Sequence, residues 1–428
     1  MQLARVARTS LPFVVLLLAT PLLRAGVLVV DADGGGDFTT LSAAVAAAVD
    51  GDMILVHDGD YVEPAPIVID GKALTIAGEW VTPTQFWPSV TIRPGLVIQH
   101  LAPGKMVFLE NLAFIGADGT SSTASVAALQ LRDNSSHVRV QSCTLYGGTG
   151  TNNNSPDGAA AVDISNSAST ALVDCDLFGG DGQFSPSLAV VTGNGGSGVR
   201  LDVGQVHLGY SYVRGGAGGS DAIGGWGQGG NGGAGVERLA GTILGAGAYM
   251  RGGDGGISFH GGNGGIGLQM GGALGFAWIM AGSFASGGEG GLSDSGPNGA
   301  PGAAMFDPNG QVVNYGGSPH GFDVTSPLRE GEGGTLVLEG FSGPTLLFAS
   351  LTPHQLPLSG YQGVLMLSPT SLIGPFVIGI GSGTLPIVAP SLPIGLESLN
   401  VFVQPAYVGP QGTVLGAGHI LTLLDASF

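Results

Sequence analysis

Between residues 127 and 302 the chain repeats itself, and no other feature constrains its fold so tightly. Five short segments, CTLY, CDLF, SYVR, AYMR and SFAS, each run into a glycine pair opening at Gly147, Gly179, Gly215, Gly252 and Gly287. The steps are 32, 36, 37 and 35 residues. A unit of this length with alternating apolar positions cannot bury its face alone. It does so by stacking on copies of itself, which is the logic of a solenoid. Each repeat carries a first strand (AALQL, AAVDIS, GVRLD, GVERL, IGLQM) and then a second (VRVQSCTLY, ALVDCDLF, VHLGYSYVR, ILGAGAYMR, FAWIMAGSFAS). One repeat is therefore one turn of a parallel β-helix, with a glycine loop at one corner. The loops line up along one side of the solenoid.

Glycine accounts for 80 of 428 residues, and only 10% of residues are charged. That glycine content alone would fit a disordered chain. The 43% of apolar residues fall in short periodic runs, however, which predicts ordered strands joined by flexible glycine loops. The loops match no metal or phosphate motif. They lack the calcium nonapeptide of β-rolls, and no Lys-Ser or Lys-Thr follows them as in a phosphate loop. They hold no collagen triplet register. Calcium is a cofactor option that no motif supports. The eight histidines show no metal-ligand spacing, so no metal site is expected.

Residues 1–25 read as a signal peptide. Arg5 and Arg8 precede a 13-residue apolar core, Leu11–Leu23, and cleavage is expected after Ala25. No later stretch is long and apolar enough to span a bilayer. Removing three arginines and no acids takes the net charge from −18 to −21. Such a surface repels nucleic acid and anionic lipid and attracts divalent cations. A monomer, either secreted or held at the extracellular surface, is expected. Cys143 and Cys175 occupy the same place in consecutive repeats, and stacked rungs lie about 4.8 Å apart. Two readings stand, a disulfide between rungs or a buried pair of free thiols.

The N-terminal stretch VDADGGGDFTTLSAAVAAAVDGDMILVHDGDYVEPAPIVIDGKALTIAG pairs a strand, an alanine-rich helix over 41–49 and further short strands. It resembles the opening of the pectin-lyase-like, right-handed parallel β-helix families. It is similar to the first rungs of pectin methylesterases and many secreted bacterial relatives. The resemblance covers about residues 27–116 and implies an all-β, right-handed parallel β-helix with a short helix capping its N-terminal end; joined to the glycine repeats, it predicts a β-helix over residues 27–334. A cap is physically needed, because a solenoid end exposes apolar side chains and unpaired backbone. Only the GDYVE stretch (Gly59–Glu63) matches the methylesterase pattern. The Asp-Phe-hydrophobic-Phe-Gly and Leu-Gly-Arg-Pro-Trp segments that supply that family's nucleophile and substrate arginine are missing.

From residue 335 to 428 the pattern changes to short strands between Pro and Gly turns, among them TLVLEG, PTLLFAS, GVLMLSP, SLNVFVQPAYV and HILTLLD. This predicts a small β-sandwich-like domain. It resembles the C-terminal β-domain found on many secreted bacterial proteins of unknown role.

Strand alternation sorts the side chains. On the first strand, Gln130, Asp163, Arg200, Glu237 and Gln269 form an outward ladder. Arg200 lies between Asp163 and Glu237, which sit two rungs, or roughly 9–10 Å, apart. This is either a solvated salt-bridge ladder or a paired-carboxylate site near the upper edge of inverting glycosidase spacing. On the second strand, Thr144, Asp176, Tyr212, Tyr249 and Phe284 form one outward column. Tyr146, Phe178, Arg214, Arg251 and Ser286 form the next, with Asp174 and Tyr210 further along. Phe178, Tyr212, Tyr249 and Arg251 are candidates for binding a sugar chain, unless the loops fold over them. Asp163, Asp174, Asp176, Arg200, Arg214 and Glu237 are the candidate catalytic set. The preferred expectation is a non-catalytic display or carbohydrate-binding protein whose partner is a polysaccharide or cell-surface glycan. The alternative is a polysaccharide lyase, pectinesterase-like enzyme or glycoside hydrolase.

Overall fold

The computed structural model describes residues 26–428, apart from 80–87, 121, 152–155, 185–191, 222–226, 273–274, 281, 294–295, 317–319, 340–342, 359–360, 381 and 411. The expected signal peptide, residues 1–25, lies outside the described residues. The chain is a parallel β-helix followed by a β-sandwich-like unit. Each turn passes through three faces. Leu96–Gln99 is a strand of the first face, Val107–Glu110 of the second and Ala113–Ile115 of the third. The long strands Leu129–Gln141 and Val162–Val173 run through the corner between the first two faces and fuse them into one 16-stranded sheet. The third face is a separate eight-stranded sheet. What reads in sequence as one second strand is thus two, bent at a corner.

That corner has a backbone signature. Asn111, Ser142, Asp174 and Tyr210 have φ of 55°, 50°, 52° and 50°, and Gly247 and Gly282 continue the column at 70° and 71°. A left-handed residue turns the chain sharply without breaking the stacking on either side. Inward columns fill the core: Leu145, Leu177, Val213 and Met250 are each fully buried and lie in register on adjacent rungs.

A helix, Leu41–Ala47, closes the N-terminal end and buries Leu41, Ala44 and Val45 against the first rungs. Its termini are held from the coil. Glu63 accepts from the Leu41 and Ser42 amides at 2.8 and 3.1 Å and from the Ser42 hydroxyl at 2.6 Å. Lys72 donates to the carbonyls of Val45, Ala46 and Ala48. Anion at the N-terminus and cation at the C-terminus match the helix dipole. The glutamate of GDYVE is therefore a helix anchor. No helix among the described residues is long and apolar enough to cross a membrane.

Among their described residues, the glycine loops are hydrogen-bonded arms and not loose connections. Each leaves the third face as an outward arm and comes back as a return arm, and the arms stack into an ordered slab. Bonds run in two directions with a three-residue period. Between rungs, Gly179 N–H donates to Arg214 C=O and Gly182 N–H to Ala217 C=O. Between arms the relay is unbroken. Gly180 donates to Ala159, Gly196 to Gly180, Gly216 to Gly196, Gly233 to Gly216, Gly253 to Gly233 and Gly265 to Gly253, all at 2.7–2.9 Å. Several of the remaining amides meet side chains. Asp181 takes that of Ala217, and Asp254 that of Glu289. On the return arms Asp157, Asn194, Asn231 and Asn263 take those of Asn194, Asn231, Asn263 and Ala300. A three-residue period with no internal bonds is the geometry of an extended polyproline-II-type helix. Glycine is required because a Cβ on Gly216 or Gly233 would lie 2.0 Å from the carbonyl oxygen of Gly180 or Gly196.

The expected boundary at 334/335 falls inside a strand, Gly333–Leu338. The last coil strand is Val312–Gly316, and Phe322–Val324 already pairs antiparallel with Gly333–Leu338. The early sandwich strands are too short, and too close to Pro327, to read as strands. A three-stranded sheet faces a six-stranded one across a shared core that includes Phe322, Leu336, Leu347, Val403 and Tyr407. The unit packs on the outer side of the coil's second face through Val173, Leu244 and Met280 against Val364, Met366 and Ala417.

Candidate functional site: the third face and its neighbours

The outward columns expected on the third face are in register: Thr144, Asp176, Tyr212, Tyr249 and Phe284 pair in turn, as do Tyr146, Phe178, Arg214, Arg251 and Ser286. Their rings form one continuous strip. Tyr146 stacks on Phe178 at 5.0 Å between centroids, Phe178 meets Tyr212 at 5.7 Å, Tyr212 meets Tyr249 at 5.4 Å and Tyr249 stacks on Phe284 at 5.5 Å. The strip changes column between Phe178 and Tyr212, where the planes tilt by 54°. None of the five rings is buried, and the end rings Tyr146 and Phe284 are 38% and 58% exposed. The slab stands beside the strip and does not cover it. Asp254 of the slab holds both arginines, Arg214 and Arg251, each at 2.8 Å.

Ring-to-ring stacking has a consequence for recognition. In the stacked pairs the planes are only 12° and 8° apart, so those faces are used on each other. The strip offers ring edges, the hydroxyls of Tyr146, Tyr212 and Tyr249, and open faces at the tilted step and the free ends. Each pair also contributes roughly 0.5–1.5 kcal/mol to stacking the rungs.

The candidate catalytic residues do not converge. Asp163, Arg200 and Glu237 lie on the first face, adjacent in register as expected. Asp176 and Arg214 lie on the third face, and Asp174 sits at the corner between the second and third. A lyase-type site assembled from Asp163, Asp174, Asp176, Arg200 and Arg214 is therefore split around the coil. The reason is that the second face lies between the first and the third in every turn, so their outward residues point in different directions. Arg200 pairs with Asp163 at 4.0 Å, whereas Glu237 accepts from the Ser197 hydroxyl at 2.9 Å. Burial pushes the Asp163 carboxyl up, against the pull of Arg200 and Arg132.

Cys143 and Cys175 stack on adjoining rungs as free, buried thiols, so the disulfide reading is corrected. Cys143 donates to the Gln141 carbonyl and Cys175 to that of Val173, at 3.1 and 3.2 Å. Burial pushes the Cys143 thiol up to about 12. Both are core residues in a column of small side chains.

Sequence reasoning missed the polar join between coil and sandwich. Glu110, Arg139 and Gln141 are outward residues of the second face, yet all are buried. Gln141 donates to the Ile420 carbonyl and accepts from its amide, at 3.0 and 2.6 Å. Glu110 accepts from Thr422 Oγ1 at 2.7 Å, and Arg139 reaches the Gly418 carbonyl and lies over the Phe402 ring. Burial raises Glu110 to about 7 and lowers Arg139 to about 10. An outward polar residue on a strand reads as solvated, and nothing local announces that another domain covers it.

No known protein family matches the chain, and no curated protein does. Among solved structures it is similar to the Escherichia coli protein YbhC at 17% identity, over 58% of this chain and 77% of that one, with a TM-score of 0.28. It is similar to a rice weevil pectin methyl esterase at 13% identity, over 70% and 90%, with a TM-score of 0.26. A PL6 family alginate lyase, AlyGC, matches at 13% identity over 69% of this chain and 40% of its own length, with a TM-score of 0.31. Likenesses this distant carry no argument about activity.

Proposed function

We propose that the chain is an exported β-helix scaffold that binds an extended glycan along the aromatic strip of the third face without turning it over. One observation carries this reading: five unburied rings run without a break along the coil, beside two arginines. Four rung spacings give the strip a length of roughly 19 Å, a match for a linear polymer and not for a small ligand. Ring edges and phenolic hydroxyls suit a sugar's mixed apolar and hydroxylated surface. Arginines already held by Asp254 keep some donors free for a uronate carboxylate.

The test is a glycan array with the purified chain, its Tyr212→Phe/Tyr249→Phe variant and its Tyr212→Ala/Tyr249→Ala variant. The Phe pair keeps the stacking and loses two hydroxyls. Binding should weaken about tenfold in the Phe pair, as expected for one or two lost hydrogen bonds. It should vanish in the Ala pair. No bound glycan, or equal binding by all three proteins, overturns the reading, and so does turnover of a polysaccharide by the wild-type chain.

The enzymatic alternative draws on one observation, the raised Asp163 carboxyl with Glu237 two rungs away. Two carboxylates in unlike environments are how acid and base roles separate. If polysaccharide turnover were found, Asp163→Asn should abolish it, and retained activity would remove Asp163 from consideration.

A further inference from the structure

At the corner between the second and third faces, the coil meets the sandwich through two adjacent rungs. Tyr210 is fixed there, its hydroxyl accepting from the His320 amide at 2.7 Å. One rung away, Asp174 meets Asp323 and His419 of the sandwich. One ligand atom of each of the three lies within 4.8 Å of the other two. The two carboxylates are solvent-exposed, while His419 is 1% exposed. Neither ring nitrogen of His419 makes a hydrogen bond of ordinary geometry, although the Ala417 backbone lies beside the ring. An unsatisfied buried imidazole is costly, and native structures rarely keep one without a reason.

The charges beside the two carboxylates are acidic, while the Arg139 guanidinium acts on His419. Asp176 stands beside Asp174, and Glu339 beside Asp323. Two domains that meet through facing carboxylates repel each other unless a cation lies between them.

We propose that Asp174, Asp323 and His419 form a divalent-cation site of the zinc class that clamps the sandwich to the coil. The donor set selects the ion. One imidazole nitrogen with two carboxylate oxygens suits a borderline cation, whereas calcium asks for six or more oxygens. Tetrahedral ligands at 2.0–2.1 Å stand roughly 3.3 Å apart, so small rotations of the two exposed aspartates close the site. The fourth position faces solvent and is left to water. Both ring nitrogens of the buried His419 are without a hydrogen-bond partner, so a nitrogen lone pair is available to ligate.

The test is isothermal titration of Zn²⁺ into the full chain, untagged and stripped with chelator. Asp174→Asn and Asp323→Asn serve as variants, because both positions are exposed and the substitutions leave the core intact. One equivalent should bind, more tightly than Ca²⁺, and each variant should lose about tenfold or more in affinity. Absence of a stoichiometric site, equal affinity in the variants, or preference for Ca²⁺ overturns the proposal. A second measurement is anomalous scattering from zinc-soaked crystals. It should place a peak about 2.0–2.2 Å from one atom of each of the three residues, and a peak found only elsewhere overturns it.

Discussion

The coil and the glycine slab are both stacks of extended chain, yet they are held together by different things. In the coil, the inward column Leu145, Leu177, Val213, Met250 accepts any apolar side chain of suitable volume. In the slab, the column Gly148, Gly180, Gly216, Gly253, Gly288 accepts none. The coil buries side chains and lets its backbone pair as a consequence. The slab has nothing to bury, and its backbone bonds are its whole framework. That framework closes only because Asp and Asn side chains take the amides that the arms cannot. Low complexity here records a steric requirement, not an absence of structure.

The largest effects test this contrast directly. Leu177→Ala should cost about 2–5 kcal/mol, the range for emptying a fully buried leucine site. Gly233→Ala adds a single carbon, yet it should cost about 3 kcal/mol, since a backbone oxygen 2.0 Å away cannot step aside. Gly383→Ala is the control, because nothing lies within 4 Å of a Cβ there. Chemical denaturation of the three variants decides the matter. A Gly233→Ala chain as stable as wild type would make the slab a loose appendage.

The second face joins its neighbour in a third way, through buried charge. Glu110 is raised to about 7, first by burial, with the bonds from Ser326 and Thr422 and the charge of Arg139 opposing. Its folded value lies above its unfolded one. The folded state therefore keeps a proton that the unfolded chain gives up between roughly pH 4.5 and 7. The group's contribution is present at low pH and is lost as pH rises through that window. Glu110→Gln cannot titrate. The stability of wild type relative to this variant should fall by up to about 3 kcal/mol between roughly pH 5 and 8, at about 1.4 kcal/mol per unit. His207 and His419, both lowered to about 3, run the opposite way but are common to the two proteins and cancel. A flat difference across the window would mean that the join stays hydrated.

The coil was legible because its signal is periodic. Register, inward columns and the outward ladders of the first and third faces all followed from counting between glycines. The helix was legible from its alanine-rich run, and in the structure Thr40 caps it, accepting from the Ala43 amide. What stayed hidden was long-range. Glu110 meets Thr422 across 312 residues, and Arg139 meets Gly418 across 279. Alternation says that such residues point outward and says nothing of what waits there. The slab was misread for a different reason. A three-residue hydrogen-bonding period made of glycine looks the same as a linker until the arms are counted against one another. Asn194, Asn231 and Asn263 were the available clue, each standing just before a glycine pair at a fixed place in its repeat.

That clue supplies a smaller test of the contrast. Asn231→Ala removes the acceptor for the Asn263 amide and keeps every glycine. The cost should be about 1 kcal/mol, the net value of one partly solvated hydrogen bond. Amide exchange should quicken at Asn263 and not at Leu177 in the coil. Equal protection in variant and wild type would mean that water serves the amide as well as asparagine does.

The smallest effect belongs to the coil's own polar ladder. Arg200 stands 4.0 Å from Asp163 with its side chain half in solvent. An exposed pair of that length is worth about 0–1 kcal/mol, because water competes for both charges and two long side chains lose freedom to meet. Arg200→Ala should therefore shift the denaturation midpoint barely, and less at high salt than at low. It also strips the guanidinium paired with Asp163 and leaves only the pull of Arg132 of the two, so Asp163 should titrate higher in the variant, by a shift that carbon-detected NMR of its carboxyl can read. A large loss of stability with no such shift would mean that Arg200 packs on the coil through its methylenes. The outward ladder would then be framework, in the same sense as the slab, and not surface.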